Sequence, residues 1–207
     1  MGRTSNAKER LMAAAVVLIW EGSYGSVSID DICAKAGVQK GSCYHFFKSK
    51  ADLASAALET AWQEEIKPKM DAIFSASKTP LSRLTEYLES VYHGQFKIKA
   101  EHGKVLGCPV CTVGSEMSTQ EAAVNAKVRE IITRKRRYIE SALRDAVADG
   151  SIEPCDPTQM TIALTGMMDG VLAEARVMND PETLRILPAM GLALLSSQKP
   201  VKAAVSA

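Results

Sequence analysis

The residues best equipped for chemistry are two cysteines spaced C-x-x-C, Cys108 and Cys111, in the stretch His102-Gly-Lys-Val-Leu-Gly-Cys-Pro-Val-Cys. Gly107 breaks the chain and Pro109 suits a first helical position, so Cys108 is expected at a helix N-terminus. Unpaired amides and the helix dipole there favour the thiolate. Cys111 lies one turn on, within reach to resolve an oxidised Cys108 as a disulfide. Three readings stay open: a packed inert pair, a thiol sensor, or a metal site completed by His93 or His102. A single C-x-x-C with no second pair does not select zinc, and no metal or cofactor is assigned. Cys155, just before Asp156-Pro157, has no partner residues around it in the sequence.

A second chemically capable group sits on one short helix. Over residues 28–47, Ser-Ile-Asp-Asp-Ile-Cys-Ala-Lys-Ala-Gly-Val-Gln-Lys-Gly-Ser-Cys-Tyr-His-Phe-Phe, two short helices crossing steeply would need a tight turn and apolar residues at fixed offsets. Gly37 supplies the turn, where a positive φ is wanted. Cys33 is small enough to lie beneath the crossing, and Ile32, Ala36, Val38, Cys43 and Phe46 fall on the inward face. Gln39, Lys40, Gly41, Ser42, Tyr44 and His45 remain outward. Hydrogen-bonding groups, a cation and a residue without a side chain are what a major-groove helix uses on phosphates and base edges. The competing reading is an ordinary helical hairpin with a polar outer face.

The elements that must position these groups are nearly all helical. Alternating β-branched patterns are absent, and Gly or Pro punctuates the chain at helix-length intervals. Residues 5–21 form a first helix, with Leu11, Ala14, Ala15, Leu18 and Ile19 on one stripe and Gly22 and Gly25 after it. Ser28 with Asp31, and again Ser49 with Asp52, read as capping-box starts. A short third helix runs over about 39–46, and Pro68 is expected to kink or interrupt a long fourth one. Further helices are expected at about 80–99, 108–117, 119–149, 157–178 and 182–197, the last two opened by Asp156-Pro157 and Asp180-Pro181. The predicted division is 1–50, 51–197 and a tail at 198–207.

The run Val38-Gln39-Lys40-Gly41-Ser42-Cys43-Tyr44-His45-Phe46-Phe47-Lys48-Ser49-Lys50-Ala51-Asp52-Leu53 closely resembles the recognition helix and following turn of TetR-family transcriptional regulators. Gly25, Val27, Ile29, Ile32, Ala36 and Gly37 also sit where that family's first helices place theirs. The match spans about residues 8–58. The resemblance implies an all-α fold: a three-helix helix-turn-helix domain that binds operator DNA, and a larger helical domain that binds an effector and pairs two subunits. It implies that Gln39, Lys40 and Gly41 face base edges, that Ser42, Tyr44 and His45 contact the DNA backbone, and that Lys50 reaches a phosphate, with Ser28 able to do the same. Cys43 departs from the more usual Leu or Phe. The Gly-Cys-Pro pattern at 107–109 resembles members that sense electrophiles or oxidants through a cysteine.

Residues 158–178 are apolar on most sides, with Gly166 and Gly170 four apart, and 184–195 read the same way. A homodimer through about 157–197 follows. Tyr87, Tyr92, Phe96, Met117 and Met168, with Val91, Gln95 and Tyr138, are candidates to line an adaptable apolar pocket. The basic run Arg134-Lys135-Arg136-Arg137 reads as a solvated helix face, with Glu130–Arg134 and Arg136–Glu140 at four-residue spacing.

Charge is divided unevenly: residues 1–50 carry +3 and the rest −2, a basic head on a slightly acidic body. No apolar run is long enough to span a membrane and no leader pattern opens the chain. Five unframed cysteines point to a reducing, cytoplasmic setting. The function expected is a DNA-binding repressor, not an enzyme, released from a palindromic operator by a small apolar or electrophilic effector or by thiol modification. The alternative, a thiol-based redox protein using Cys108 and Cys111, would need a βαβ context that the sequence does not show.

Overall fold

The computed structural model describes residues 5–117 and 119–196; the expected tail at 198–207 lies outside them. Among the described residues every regular element is helical, and no helix is long and apolar enough to cross a membrane.

Helices α1 (Ser5–Glu21), α2 (Ile29–Ala36) and α3 (Lys40–Phe46) form the head. Ser28 and Asp31 exchange the two bonds of a capping box, worth about 1 kcal/mol at such a site. Gly37 ends α2 at φ 61°, a conformation that a side chain would strain. Cys43 lies inward as expected, but Phe47 is the buried aromatic, and Phe46 is only partly covered. The reason is local: Phe47 has left the helix for extended backbone, which turns its ring inward.

Helix α4 (Lys50–Ala61) begins where Ser49 Oγ accepts the Asp52 amide. Pro68 does not kink it at the proline; a π-turn over Trp62–Ile66 precedes α5 (Lys67–Ile73). Pro68 can donate no bond to residue 64, and the wider turn, closed by the Lys67 amide on the Trp62 carbonyl, absorbs that loss. Helices α6 (Pro80–His102), α7 (Pro109–Met117), α8 (Ala122–Ala148) and α9 (Pro157–Met178) follow. The final helix expected at 182–197 is divided. A 3₁₀ segment, Pro181–Ile186, leads into α10 (Leu187–Ser196), because Pro188 lacks the amide that would continue one helix through it.

Two hydrophobic cores result. The first gathers α1–α4 together with Val110, Val113 and Met117 of α7 and Val124, Val128 and Ile131 of α8. The second gathers α5, α6, α9 and α10 around Ile139, Ala142 and Leu143 of α8. Helix α8 thus serves both cores, one with each half. Cys108, Tyr138 and Ile66 touch both, at the seam.

Candidate functional site

The first candidate surface is the exposed side of α3. Gln39, Lys40, Gly41, Ser42, Tyr44 and His45 all lie outward, Tyr44 half exposed, and nothing lies within 4 Å of where a Cβ on Gly41 would be. Gln39 precedes the helix without capping it through its side chain. Two cations are already engaged. Lys40 pairs with Asp30 at 2.9 Å, and Lys50 turns inward, donating to the Tyr24 carbonyl and lying 4.1 Å from that ring's centre. Burial lowers the Lys50 pKa. Ser28 is occupied in its capping box, donating to Asp31 Oδ2 at 2.6 Å.

The second candidate is the seam. Gly107, at φ 76°, turns the chain so that Cys108 precedes α7 and its carbonyl accepts the Thr112 amide at 2.9 Å. The Lys135 ammonium lies 3.8 Å from the Cys108 sulfur. The Cys111 thiol donates to Cys108 and, with Lys135 and the amides of Cys111 and Val110, holds the Cys108 thiol well below its usual range despite burial. The same hydrogen bond, added to burial, pushes Cys111 up. Burial alone would lower Lys135, but Cys108, then Tyr87, Cys111 and Asp169 outweigh it and keep it charged. Asp169 of α9 stands 3.7 Å from Cys111 Sγ, its own pKa raised by burial and by Cys108. Both cysteines open onto a groove of about 580 Å³ between α7 and α9, flanked by Thr112, Leu172 and Arg176.

Lys135 went unrecognised because its basic run reads as a solvated face. Its signal was nonetheless present: Val124, Val128, Ile131, Lys135, Ile139, Ala142 and Ala146 keep one helical stripe, so the lysine occupies a core position. Arg134 does pair with Glu130, and also with Glu59 of α4. Glu140 binds Arg144 and not Arg136.

The pocket candidates are divided between the two cores and the surface. Met117 belongs to the first core, Tyr87 and Met168 to the second. Tyr92 is half buried and bonds Glu182 and Arg185 at the surface, and Phe96 is 48% exposed beside it. Helical period alone cannot say which core a residue enters. Gln95 is buried, but its amide is spent on Gly107. His102 meets Glu21 at 2.8 Å, and His93 is exposed against Tyr92; among the described residues no cluster of three or more His, Cys, Asp or Glu could hold a metal.

Head and α7 are fastened to each other. Glu116 accepts the Tyr24 and Gly25 amides at 2.8 and 2.7 Å, and Trp20 Nε1 donates to the Gly107 carbonyl at 3.1 Å.

Comparison with known proteins gives two family matches: "Bacterial regulatory proteins, tetR family" over residues 11–57, and "Tetracyclin repressor-like, C-terminal domain" over residues 80–188. The transcriptional regulator AcuR of Cereibacter sphaeroides is 30% identical over 87% of this chain and 81% of its own. The transcriptional repressor NemR of Escherichia coli K12 is 23% identical over 86% of this chain and 88% of its own. The crystal structure of regulatory protein TetR from Rhodobacter sphaeroides superposes with a TM-score of 0.79 at 28% identity, covering 90% of this chain and 97% of that one.

Proposed function

The chain belongs to the TetR family of transcriptional regulators, and from that premise we propose that it is a repressor whose hold on DNA is set by the thiol state of Cys108. Two copies pair through α9 and α10 in this reading. The outer side of α9 carries Ile162, Gly166, Gly170 and Val177 to solvent, and both glycines leave open space above the backbone for close helix approach. The paired α3 helices then enter adjacent major grooves of a palindromic operator, where half-site spacing tolerates little change. On binding, Lys40 exchanges Asp30 for a base edge and Lys50 exchanges Tyr24 for a phosphate oxygen.

One observation carries the thiol reading: the Cys108 sulfur lies at the start of α7, 3.8 Å from the ammonium of the half-buried Lys135, and opens onto a groove. A thiolate held this way is a ready nucleophile. It adds to an electrophilic carbon to form a thioether. With a peroxide it attacks one oxygen, the O–O bond breaks, the other oxygen leaves as hydroxide (alkoxide from an organic peroxide), and the thiolate is oxidised to a sulfenic acid. Cys111 sulfur then displaces that oxygen as water, its proton leaving by way of Asp169, and a disulfide closes. The family resemblance of NemR, a repressor by name, supports the repressing role. A reducing cytoplasm is the setting in which such a thiol rests unmodified.

The test is binding to the DNA beside the protein's own gene, with and without hydrogen peroxide or N-ethylmaleimide. Specific, salt-sensitive binding lost on treatment of the native protein and retained by Cys108→Ser is the expected outcome. A Cys108→Ser protein that loses DNA as readily as the native one removes Cys108 from the switch.

A further inference from the structure

The side chain of Gln95 is buried on α6, a helix of the second core, yet its carboxamide is committed to the residue before Cys108. Its Nε2 donates to the Gly107 carbonyl at 3.1 Å, and its Oε1 accepts the Gly107 amide at 2.9 Å. The Gly107 residue is therefore held at both polar ends by one planar group. Trp20 of α1 adds a third bond, to the same carbonyl, at 3.1 Å. Gly107 stands at φ 76°, which no neighbouring helix imposes, so these bonds are what select that turn from the many glycine allows.

We propose that Gln95 is a positioning residue for Cys108: by closing both polar groups of Gly107 it fixes the turn that delivers the Cys108 sulfur to the first amides of α7 and to Lys135. This rests on the reading of Cys108 as the reactive thiolate. Gln95 spends one N–H of Nε2 and one lone pair of Oε1 on the same residue, so its planar group is oriented by Gly107. The groups that face the sulfur come from every element packed on it: Cys111 from α7, Lys135 from α8, Tyr87 from α6, and Asp169 from α9 through Cys111. None of them is hydrogen-bonded to Gln95, so its effect passes through the turn. Without the clasp, Gly107 samples other conformations and the sulfur spends less time against its amides and cation.

The experiment is the pH profile of Cys108 alkylation by iodoacetamide, read by peptide mass spectrometry, in the full-length native protein, Gln95→Met, Trp20→Phe and, as a control, Leu143→Ala. Methionine keeps the length of glutamine and loses both bonds. The native midpoint is expected below that of a free thiol. In Gln95→Met it rises by about one pH unit, and alkylation at pH values well below the native midpoint slows about tenfold, since rate follows the thiolate fraction. Trp20→Phe, which keeps the Gln95 clasp, shifts the midpoint less and in the same direction. Leu143→Ala, destabilised in the second core without touching the turn, leaves the midpoint in place. A low native midpoint unchanged in Gln95→Met overturns the positioning role alone. A native midpoint at the free-thiol value overturns the thiolate reading and the role with it. Should Gln95→Met not fold, an unshifted Trp20→Phe profile counts against the turn as the controlling feature.

Discussion

The two cores are built from different materials. The first is crowded with small residues: Ala14, Ala15, Ala36, Ala51, Ala54 and Ala57, with Cys33 and Cys43. The second relies on long flexible ones: Met70, Met160 and Met168, with Leu84, Leu88, Leu143, Leu164, Leu184 and Leu187. Small side chains let helix backbones approach closely and leave little room to adjust, whereas Met and Leu can repack. The head is thus a rigid reader of DNA, and the body a deformable support. Cys108 touches both cores where the two meet, with Lys135 beside it.

The contrast can be broken or sharpened by substitution. The largest effect is expected for Leu143→Ala, wholly buried in the second core, which should lower unfolding free energy by about 2–5 kcal/mol in urea melts. Next comes the opposite change in the first core. Ala54→Leu should cost about 1–3 kcal/mol by overpacking, and a neutral result would mean that the head is as forgiving as the body.

A smaller effect concerns the polar edge where α4 meets α8. Burial would raise Glu59, but hydrogen bonds from Gln63, Arg134 and Lys127 outweigh it and hold the carboxyl at about 2, against an ordinary 4.5. A depressed folded-state value means stability fully present above 4.5 and lost as pH falls toward about 2. Acid titration of thermal melts should show that limb, and Glu59→Gln should flatten it. The least change in stability is expected at the seam itself. Lys135→Met should stay within about 1 kcal/mol of the native protein, because an apolar side chain suits that stripe. Its Cys108 should nonetheless alkylate more slowly at neutral pH, and an unchanged rate would detach the lysine from the thiol.

What the sequence disclosed was local. Gly37, Ser28 with Asp31, and Asp156-Pro157 announce turns and helix starts within a few residues of themselves, and the structure places them so. The family signature at 38–53 is likewise one contiguous stretch. The seam is not: Cys108 meets Lys135 from 27 residues away, Glu116 meets Gly25 from 91, and Gln95 spends on Gly107 an amide that sequence would assign to a ligand. Phe46 and Phe47 show the limit within a motif, since where a helix lets go decides which of two adjacent rings turns inward.

The sharing of α8 between both cores bears on modularity. The division expected at residue 50 would make the head a unit that could be grafted onto another body. Here such a graft would carry Leu53, Leu58 and Trp62 away from their partners or leave them behind, and would bare the faces that Val113, Val124 and Ile131 now cover. A chimaera that keeps its operator grip must therefore take α4, α7 and the first half of α8 along with the head, so the working DNA-reading unit is discontinuous in the chain.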